Sequence, residues 1–76
     1  MPRDLAPWII DRRRELGDRI RHLRLEADYT QERLSEITGI DRRTLQRIEA
    51  GQSDPRFSDL LRIAAALDKR VCVLVD

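Results

Sequence analysis

The sequence has very few of the residues that cross-link chains, bind metals or build aromatic clusters. Of its 76 residues one is cysteine and one is histidine, and the only aromatic side chains are Trp8, Tyr29 and Phe57. A single cysteine excludes an internal disulfide and is typical of a reducing cytosol. His22 is the only histidine, and Cys72 has no neighbouring histidine or cysteine at ligand spacing, so we predict no metal and no cofactor. No set of nucleophile, base and orienting group can be assembled from them, so the protein is not predicted to be an enzyme.

Long apolar runs are also missing. No stretch approaches the roughly 20 apolar residues that a membrane helix requires, and the first residues lack the apolar core of a secretion signal. We therefore predict a cytoplasmic protein. Its 76 residues suffice for one domain with a modest core, and domains of that size often gain stability from a second subunit.

The charge is balanced, but its composition is one-sided. Fifteen basic and 14 acidic residues give a net charge of +1, which neither supports nor excludes a nucleic-acid partner. Every basic residue except Lys69 is arginine. Arginine forms forked hydrogen bonds with phosphates and guanine edges better than lysine does, although a GC-rich genome produces the same bias without any function. Where the arginines stand is therefore more informative than how many there are.

Apolar periodicity predicts a chain of helices. Gly17 lies inside the first pattern and is a candidate helix breaker, with Asp18 as the cap of a second helix. In the next helix Leu34 and Ile37 are predicted to face inward, and Gly51 is predicted to end the helix after that. The predicted helices cover residues 5–27, 31–38, 41–50 and 57–67.

The segment before residue 16 is predicted to be a helical extension. Its apolar side chains Trp8, Ile9 and Ile10 continue the stripe of the first helix, so we expect them to pack on the body of the protein or on a second subunit. The run of arginines at 12–14 is interpreted as a solvated helix face, and a flanking phosphate contact is the less favoured alternative.

The end of the sequence changes character. Residues 70–75, RVCVLV, form an unbroken run with high strand propensity. A lone strand leaves its backbone groups unpaired. We therefore predict an antiparallel ribbon with a second copy, in which Val71, Val73 and Val75 share one face and make a homodimer. The alternative is a short fifth helix that docks Val71, Leu74 and Val75.

The middle of the sequence carries a specific pattern. Two short helices joined by a glycine-containing turn, on a third supporting helix, form a helix-turn-helix. The stretch YTQERLSEITGIDRRTLQRIEAGQSDPRFSDLLRIAAAL resembles the lambda-repressor-like family (Cro/repressor, or Xre-type). LGDRIRHLRLEA resembles the first helix of that family, so the resemblance covers residues 16–67. The matching features are Thr30-Gln31, Leu34, Ile37, Gly39, Ile48-Glu49-Ala50-Gly51, Pro55, Leu60-Leu61 and Ala64.

The resemblance implies an all-α fold, and the length of the sequence indicates a single domain over residues 1–76. The domain would be a compact, lambda-repressor-like bundle of four to five helices with its core over residues 16–67. Residues 1–15 would form the N-terminal helical extension, and residues 68–76 the possible C-terminal dimerising β-strand or short helix.

The resemblance also assigns site residues. A recognition helix in the major groove needs long hydrogen-bonding side chains outside and a few apolar anchors inside, and Leu45 and Ile48 suit the anchors. Asp41 is interpreted as the helix cap, with a hydrogen bond from cytosine as the alternative. The predicted base contacts are Arg42, Arg43, Gln46 and Arg47. The predicted phosphate contacts are Gln31, Thr44, Gln52, Ser53 and Arg56. The resemblance further implies that Gln31 braces the recognition helix and that Arg24 pairs with Glu49.

Two functions of different kinds fit these features. The favoured one is a prokaryotic or phage transcriptional repressor that binds double-stranded operator DNA as a homodimer, on the nucleoid. The alternative is an antitoxin that holds a toxin protein and regulates its own operon, because HipB-like antitoxins combine a similar body with a strand-prone tail. A restriction-modification controller is a third possibility.

Overall fold

A computed structural model describes residues 5–76, and this part of the chain folds into five α-helices without a strand. The all-α fold is as predicted. Residues 1–4 of the predicted N-terminal extension lie outside the described residues. The helices are α1 (Pro7–Glu26), α2 (Gln31–Thr38), α3 (Arg42–Glu49), α4 (Phe57–Ala66) and α5 (Val71–Val75).

One apolar core joins all five helices. α1 packs on α3 and α5, α2 packs on α3 and α4, and α4 packs on α5. Each helix contributes at least one side chain that water hardly reaches, which is the arrangement a domain of this size needs in order to gain enough hydrophobic stabilisation. The buried apolar residues are Ile20, Leu34, Ile40, Leu45, Ile48, Ile63, Ala64, Leu67 and Leu74.

α1 is a single helix of 20 residues, so the predicted break at Gly17 with a cap at Asp18 is wrong. Gly17 is buried inside the helix because the end of α3 approaches it closely. A Cβ atom built on Gly17 would lie 2.5 Å from the carbonyl oxygen of Ile48 and 2.6 Å from that of Glu49. The glycine therefore permits backbone contact between α1 and α3 and does not interrupt the helix.

Replacing Gly17 by alanine is expected to destabilise the protein. In an open helix this change stabilises by about 1 kcal/mol, but here the new methyl group would collide with two rigid backbone carbonyls. Overpacking of this kind costs about 1–3 kcal/mol, so up to about 2 kcal/mol is lost after the gain in helix propensity, and each kcal/mol lost lowers Tm by about 4–8 °C in a domain of this size. Differential scanning calorimetry measures the change, and Asp18→Ala on the exposed side of α1 is the matched control. A variant at Gly17 that melts with or above the parent would contradict this account of the contact.

The N-terminal half of α1 packs on the body of the protein through an arginine as well as through apolar groups. Ile9 and Ile10 are half-buried, whereas Trp8 is 68% exposed and does not pack on the body. Nε of Arg13 donates a hydrogen bond to the carbonyl oxygen of Gly51 at 3.1 Å, and its Nη1 lies 3.6 Å from a carboxylate oxygen of Asp54. The extension is thus fixed to the segment that follows α3.

The strand predicted for residues 70–75 is wrong, and the alternative of a short fifth helix is correct. Leu74 is 1% exposed within the core, and burying a leucine contributes about 1.5–3 kcal/mol. Two arginines of α1 satisfy carbonyl groups at the end of α5: Arg12 donates to Val75 at 2.8 Å, and Arg19 donates to Val73 at 3.4 Å and to the backbone oxygen of Asp76. Packing and capping from α1 thus override the local strand propensity.

α2 buries a different residue from the one expected. Ile37, which was predicted to face inward, is 40% exposed, while Thr38 is 8% exposed. Leu34 is fully buried as predicted.

Within the described residues, no helix is both long enough and apolar enough to cross a membrane.

Candidate nucleic-acid interface

α3 has one face in the core and one face in water. Its buried residues are Leu45, Ile48 and Glu49. The opposite face carries long side chains with hydrogen-bonding ends that lie free in solvent, which is the composition that a helix in the major groove requires. The exposed side chains of this face are Arg42, Arg43, Gln46 and Arg47, the four residues predicted to contact bases.

Both ends of α3 are defined by local interactions. Asp41 is the N-cap, and its carboxylate accepts a hydrogen bond from the backbone N–H of Thr44 at 3.4 Å. Gly51 follows the helix with φ of +72°, a conformation that glycine adopts without steric cost. The eight residues of α3 give a length of about 12 Å, close to the width of the major groove, about 12 Å.

The turn between α2 and α3 is held by two hydroxyl groups that the sequence analysis did not single out. The hydroxyl of Thr38 donates to the carbonyl of Leu34 at 2.7 Å and accepts from the backbone N–H of Ile40 at 3.2 Å. The hydroxyl of Ser35 donates to the carbonyl of Ile40 at 2.5 Å. Gly39 takes φ of +76° between them. These bonds satisfy the polar groups of the turn and fix the angle between the two helices.

Arg24 and Glu49 form a forked, buried ion pair. Nε and Nη2 of Arg24 lie 2.8 and 3.0 Å from the two carboxylate oxygens of Glu49, and the two side chains are 8% and 3% exposed. Nη1 of Arg24 donates to the carbonyl of Tyr29 at 2.8 Å. Nε2 of Gln31 donates to Glu49 at 3.1 Å, so one carboxylate joins α1, α2 and α3. Such bidentate, charge-assisted bonds hold their partners in one geometry.

The predicted phosphate contacts stand around α3 at different exposures. Gln31 begins α2 and is half-buried, with its amide nitrogen directed to Glu49. Thr44 is half-buried on α3. The other three belong to the α3–α4 loop, residues 50–56, in which Gln52 and Arg56 are exposed and Ser53 is half-buried.

The predicted dimerisation residues lie on α5 and do not share a single face. Val73 and Val75 are 40% and 41% exposed, and Val71 is half-buried against the core. Larger exposed apolar groups occur on the neighbouring α4, where Phe57 is 66% exposed and Leu61, one turn later, is 46% exposed.

Among residues 5–76 no cluster of three or more histidine, cysteine or acidic side chains has the spacing to hold a metal ion. The run of arginines at 12–14 does not lie wholly in solvent, because Arg13 and Arg14 contact the α3–α4 loop. Gly17 and Arg24 are spaced by seven residues, about two helical turns, and this spacing indicates the face of α1 that contacts α3.

A short helix with a polar outer face, held by a fixed turn on a second short helix and braced by a third, is a helix-turn-helix. A family model described as "Helix-turn-helix" (HTH_3) matches residues 20–74. The chain therefore belongs to the HTH_3 helix-turn-helix family, and it has the fold of HTH_3 transcriptional regulators.

Solved structures agree with this assignment. The restriction-modification controller protein C.AhdI from Aeromonas hydrophila is similar at 33% identity over 80% of this chain and 92% of its own, with a TM-score of 0.78. The hypothetical transcription factor NHTF from Neisseria is similar at 26% identity over 100% of this chain and 86% of its own, with a TM-score of 0.82. An HTH_3 family transcriptional regulator from Vibrio cholerae shares the fold at 21% identity and a TM-score of 0.81, over 87% of this chain and 37% of its own. No curated protein is significantly similar in sequence.

Proposed function

We propose that this protein is a sequence-specific transcriptional repressor that binds operator DNA as a homodimer, with α3 in the major groove. The observation that carries the proposal is the outer face of α3, where three arginines and a glutamine are exposed on a helix whose inner face is fixed in the core. Arginine pairs in a forked geometry with guanine, and glutamine does so with adenine.

The brace behind α3 supports the same function. Base readout demands that side chains reach their hydrogen-bonding partners reproducibly, and a helix that shifts by a fraction of an ångström loses that accuracy. The buried carboxylate of Glu49 ties the end of α3 to Arg24 and Gln31, and Gly17 lets α1 rest directly on the α3 backbone. Asp41 is engaged as the cap of α3, which supports the cap interpretation over a cytosine contact.

The homodimer is supported by exposed apolar side chains and by the size of the domain. α4 and α5 pack on each other, and together they expose Phe57, Leu61, Val73 and Val75. Phe57 and Leu61 lie one turn apart on α4, and exposed apolar groups that lie together mark association surfaces. A two-fold dimer would offer two copies of α3 to one side of the DNA, about 34 Å apart.

Binding-site selection from random DNA tests the proposal. We expect a two-fold symmetric consensus with half-sites one helical turn apart, roughly 10 base pairs from centre to centre. Alanine in place of a base-reading arginine, such as Arg42 or Arg43, should weaken binding to the selected site by about 1–3 kcal/mol and relax the preference at one position in each half-site. Arg62→Ala, which removes one charge from the exposed face of α4, is the matched control.

Three results would contradict the proposal. If selection returns no consensus, the protein does not bind DNA in a sequence-specific way. If the consensus has no symmetry and the protein sediments with the mass of a monomer, the proposed homodimer is contradicted. If alanine at Arg42, Arg43, Gln46 and Arg47 weakened selected and random DNA equally, α3 would contact phosphates only.

We do not propose the antitoxin function. The feature that favoured it was a tail in strand conformation, and residues 71–75 are helical. The similarity to C.AhdI, a restriction-modification controller, supports regulation of transcription in general.

A further inference from the structure

We propose that the N-terminal half of α1 is a second DNA-contacting element, in which Arg14 binds a backbone phosphate beside the α3–α4 loop. This inference rests on the proposed function, because it assumes that α3 enters the groove. The helix-turn-helix model matches only from residue 20 onward, so the contact adds to the motif itself.

The first observation is the position of Arg14. A Cβ atom built on Gly51 would lie 2.9 Å from Cγ and 3.0 Å from Cα of Arg14. The stem of this side chain therefore rests on the residue that ends α3. A recognition helix contacts bases mainly with its N-terminal residues, so its other end approaches the edge of the groove, where the phosphate backbone runs. Arg14 lies beside that end.

The second observation is that the charged end of Arg14 is available. The residue is exposed, and its guanidinium makes no hydrogen bond or ion pair with any of the residues 5–76. Asp11 and Asp18, each about one turn away on α1, do not come within ion-pair distance of it. Neighbouring arginines differ, since Arg12 is bonded to the end of α5 and Arg13 to the loop.

The third observation is that Arg13 removes an obstacle to phosphate binding. Asp54 places a carboxylate in the loop, and a like charge near a phosphate disfavours binding. Arg13 lies 3.6 Å from that carboxylate and also donates to the carbonyl of Gly51. Its charge offsets Asp54, and its hydrogen bond holds the loop against α1. Arg14 remains beside the loop without an ion pair among residues 5–76.

The salt dependence of binding gives the test. Each phosphate contact contributes about 0.9 to the slope of log affinity against log salt. Between about 50 and about 200 mM salt, a variant without the contact should therefore lose about 3.5-fold less affinity per half-site than the parent. Arg14→Gln is the informative change, because glutamine keeps the Cγ atom that packs on Gly51 and removes the charge.

Fluorescence anisotropy titrations with the selected operator duplex and with a scrambled duplex measure both slopes. We expect Arg14→Gln to reduce the slope equally on the two duplexes, and Arg14→Lys to retain the slope of the parent. Arg70→Gln is the matched control, since this exposed arginine lies before α5, at the opposite end of α4 from the loop, and should leave the slope unchanged.

The outcomes separate this inference from the proposed function. If the parent binds neither duplex, the proposed function fails and the contact fails with it. If the parent binds the operator and Arg14→Gln keeps its slope, the contact is overturned while the function stands. An equal loss of slope in Arg70→Gln, or a changed base preference in Arg14→Gln, would also overturn a phosphate contact at Arg14.

Discussion

Replacing Glu49 by alanine is expected to lower the free energy of unfolding by about 3–5 kcal/mol, because it leaves the charge of Arg24 buried without its partner. Both side chains are nearly inaccessible to water, so solvent cannot replace the lost carboxylate without opening the structure. Gln31 loses its acceptor at the same time. A domain of 76 residues has a total stability of about 4–11 kcal/mol, so this one change removes a large part of it.

Urea unfolding of the DNA-free protein, followed by circular dichroism, measures the effect. The control is a double variant, Arg24→Met with Glu49→Met, which removes both charges and keeps apolar volume. Replacing a whole buried ion pair in this way is often neutral or stabilising, so the double variant should be more stable than Glu49→Ala. If Glu49→Ala unfolds at the same urea concentration as the parent, the pair does not contribute to stability as we describe.

Replacing Leu74 by alanine should lower the free energy of unfolding by about 2–5 kcal/mol, the range for truncating a fully buried leucine. Leu74 is the buried anchor of a helix of only five residues, and so short a helix has no stability of its own. Ile9, Leu16 and Leu60 line a cleft of about 250 Å³ next to it. This open space adjoins Leu74 on one side, so fewer side chains can collapse into the site that truncation leaves.

The matched control for Leu74 is Val73→Ala on the same helix. Val73 is 40% exposed, and substitutions at such surface positions usually stay within about 0.5 kcal/mol. Hydrogen exchange of the amides of α5, measured by NMR, should show that Leu74→Ala loses protection there first. Equal effects of the two substitutions would mean that α5 is not anchored through Leu74.

Local patterns were sufficient to predict the helix-turn-helix. The periodicity of Leu45 and Ile48, the cap at Asp41 and the glycine after α3 all depend on neighbours within a few residues. They predicted both which face of α3 is buried and which side chains are free. The same reasoning applies to α2, although one turn of apolar pattern was too short to show that Thr38 is buried and Ile37 is exposed.

Features that depend on distant parts of the chain were not predictable in this way. Whether Gly17 ends a helix or permits a close contact is decided by the carbonyl groups of α3, more than 30 positions later. The tail has strand propensity as an isolated segment, yet Arg12 bonds to Val75 across 63 residues of sequence. The β-branched side chains of the tail are evident from the local sequence, but the bonds from Arg12 and Arg19 to its backbone oxygens depend on the folded structure.

The division of α3 into two faces has a consequence for how such regulators diverge. Its outer side chains contribute nothing to the core, so a change at Arg42, Arg43, Gln46 or Arg47 alters stability by only about 0.5 kcal/mol or less. Its inner face and its backbone contact with Gly17 keep the helix in place whatever the outer residues are. Under the proposed base readout, new target sequences are therefore accessible by single substitutions that leave folding intact, and a duplicated copy of this gene could acquire its own operator in a few mutational steps.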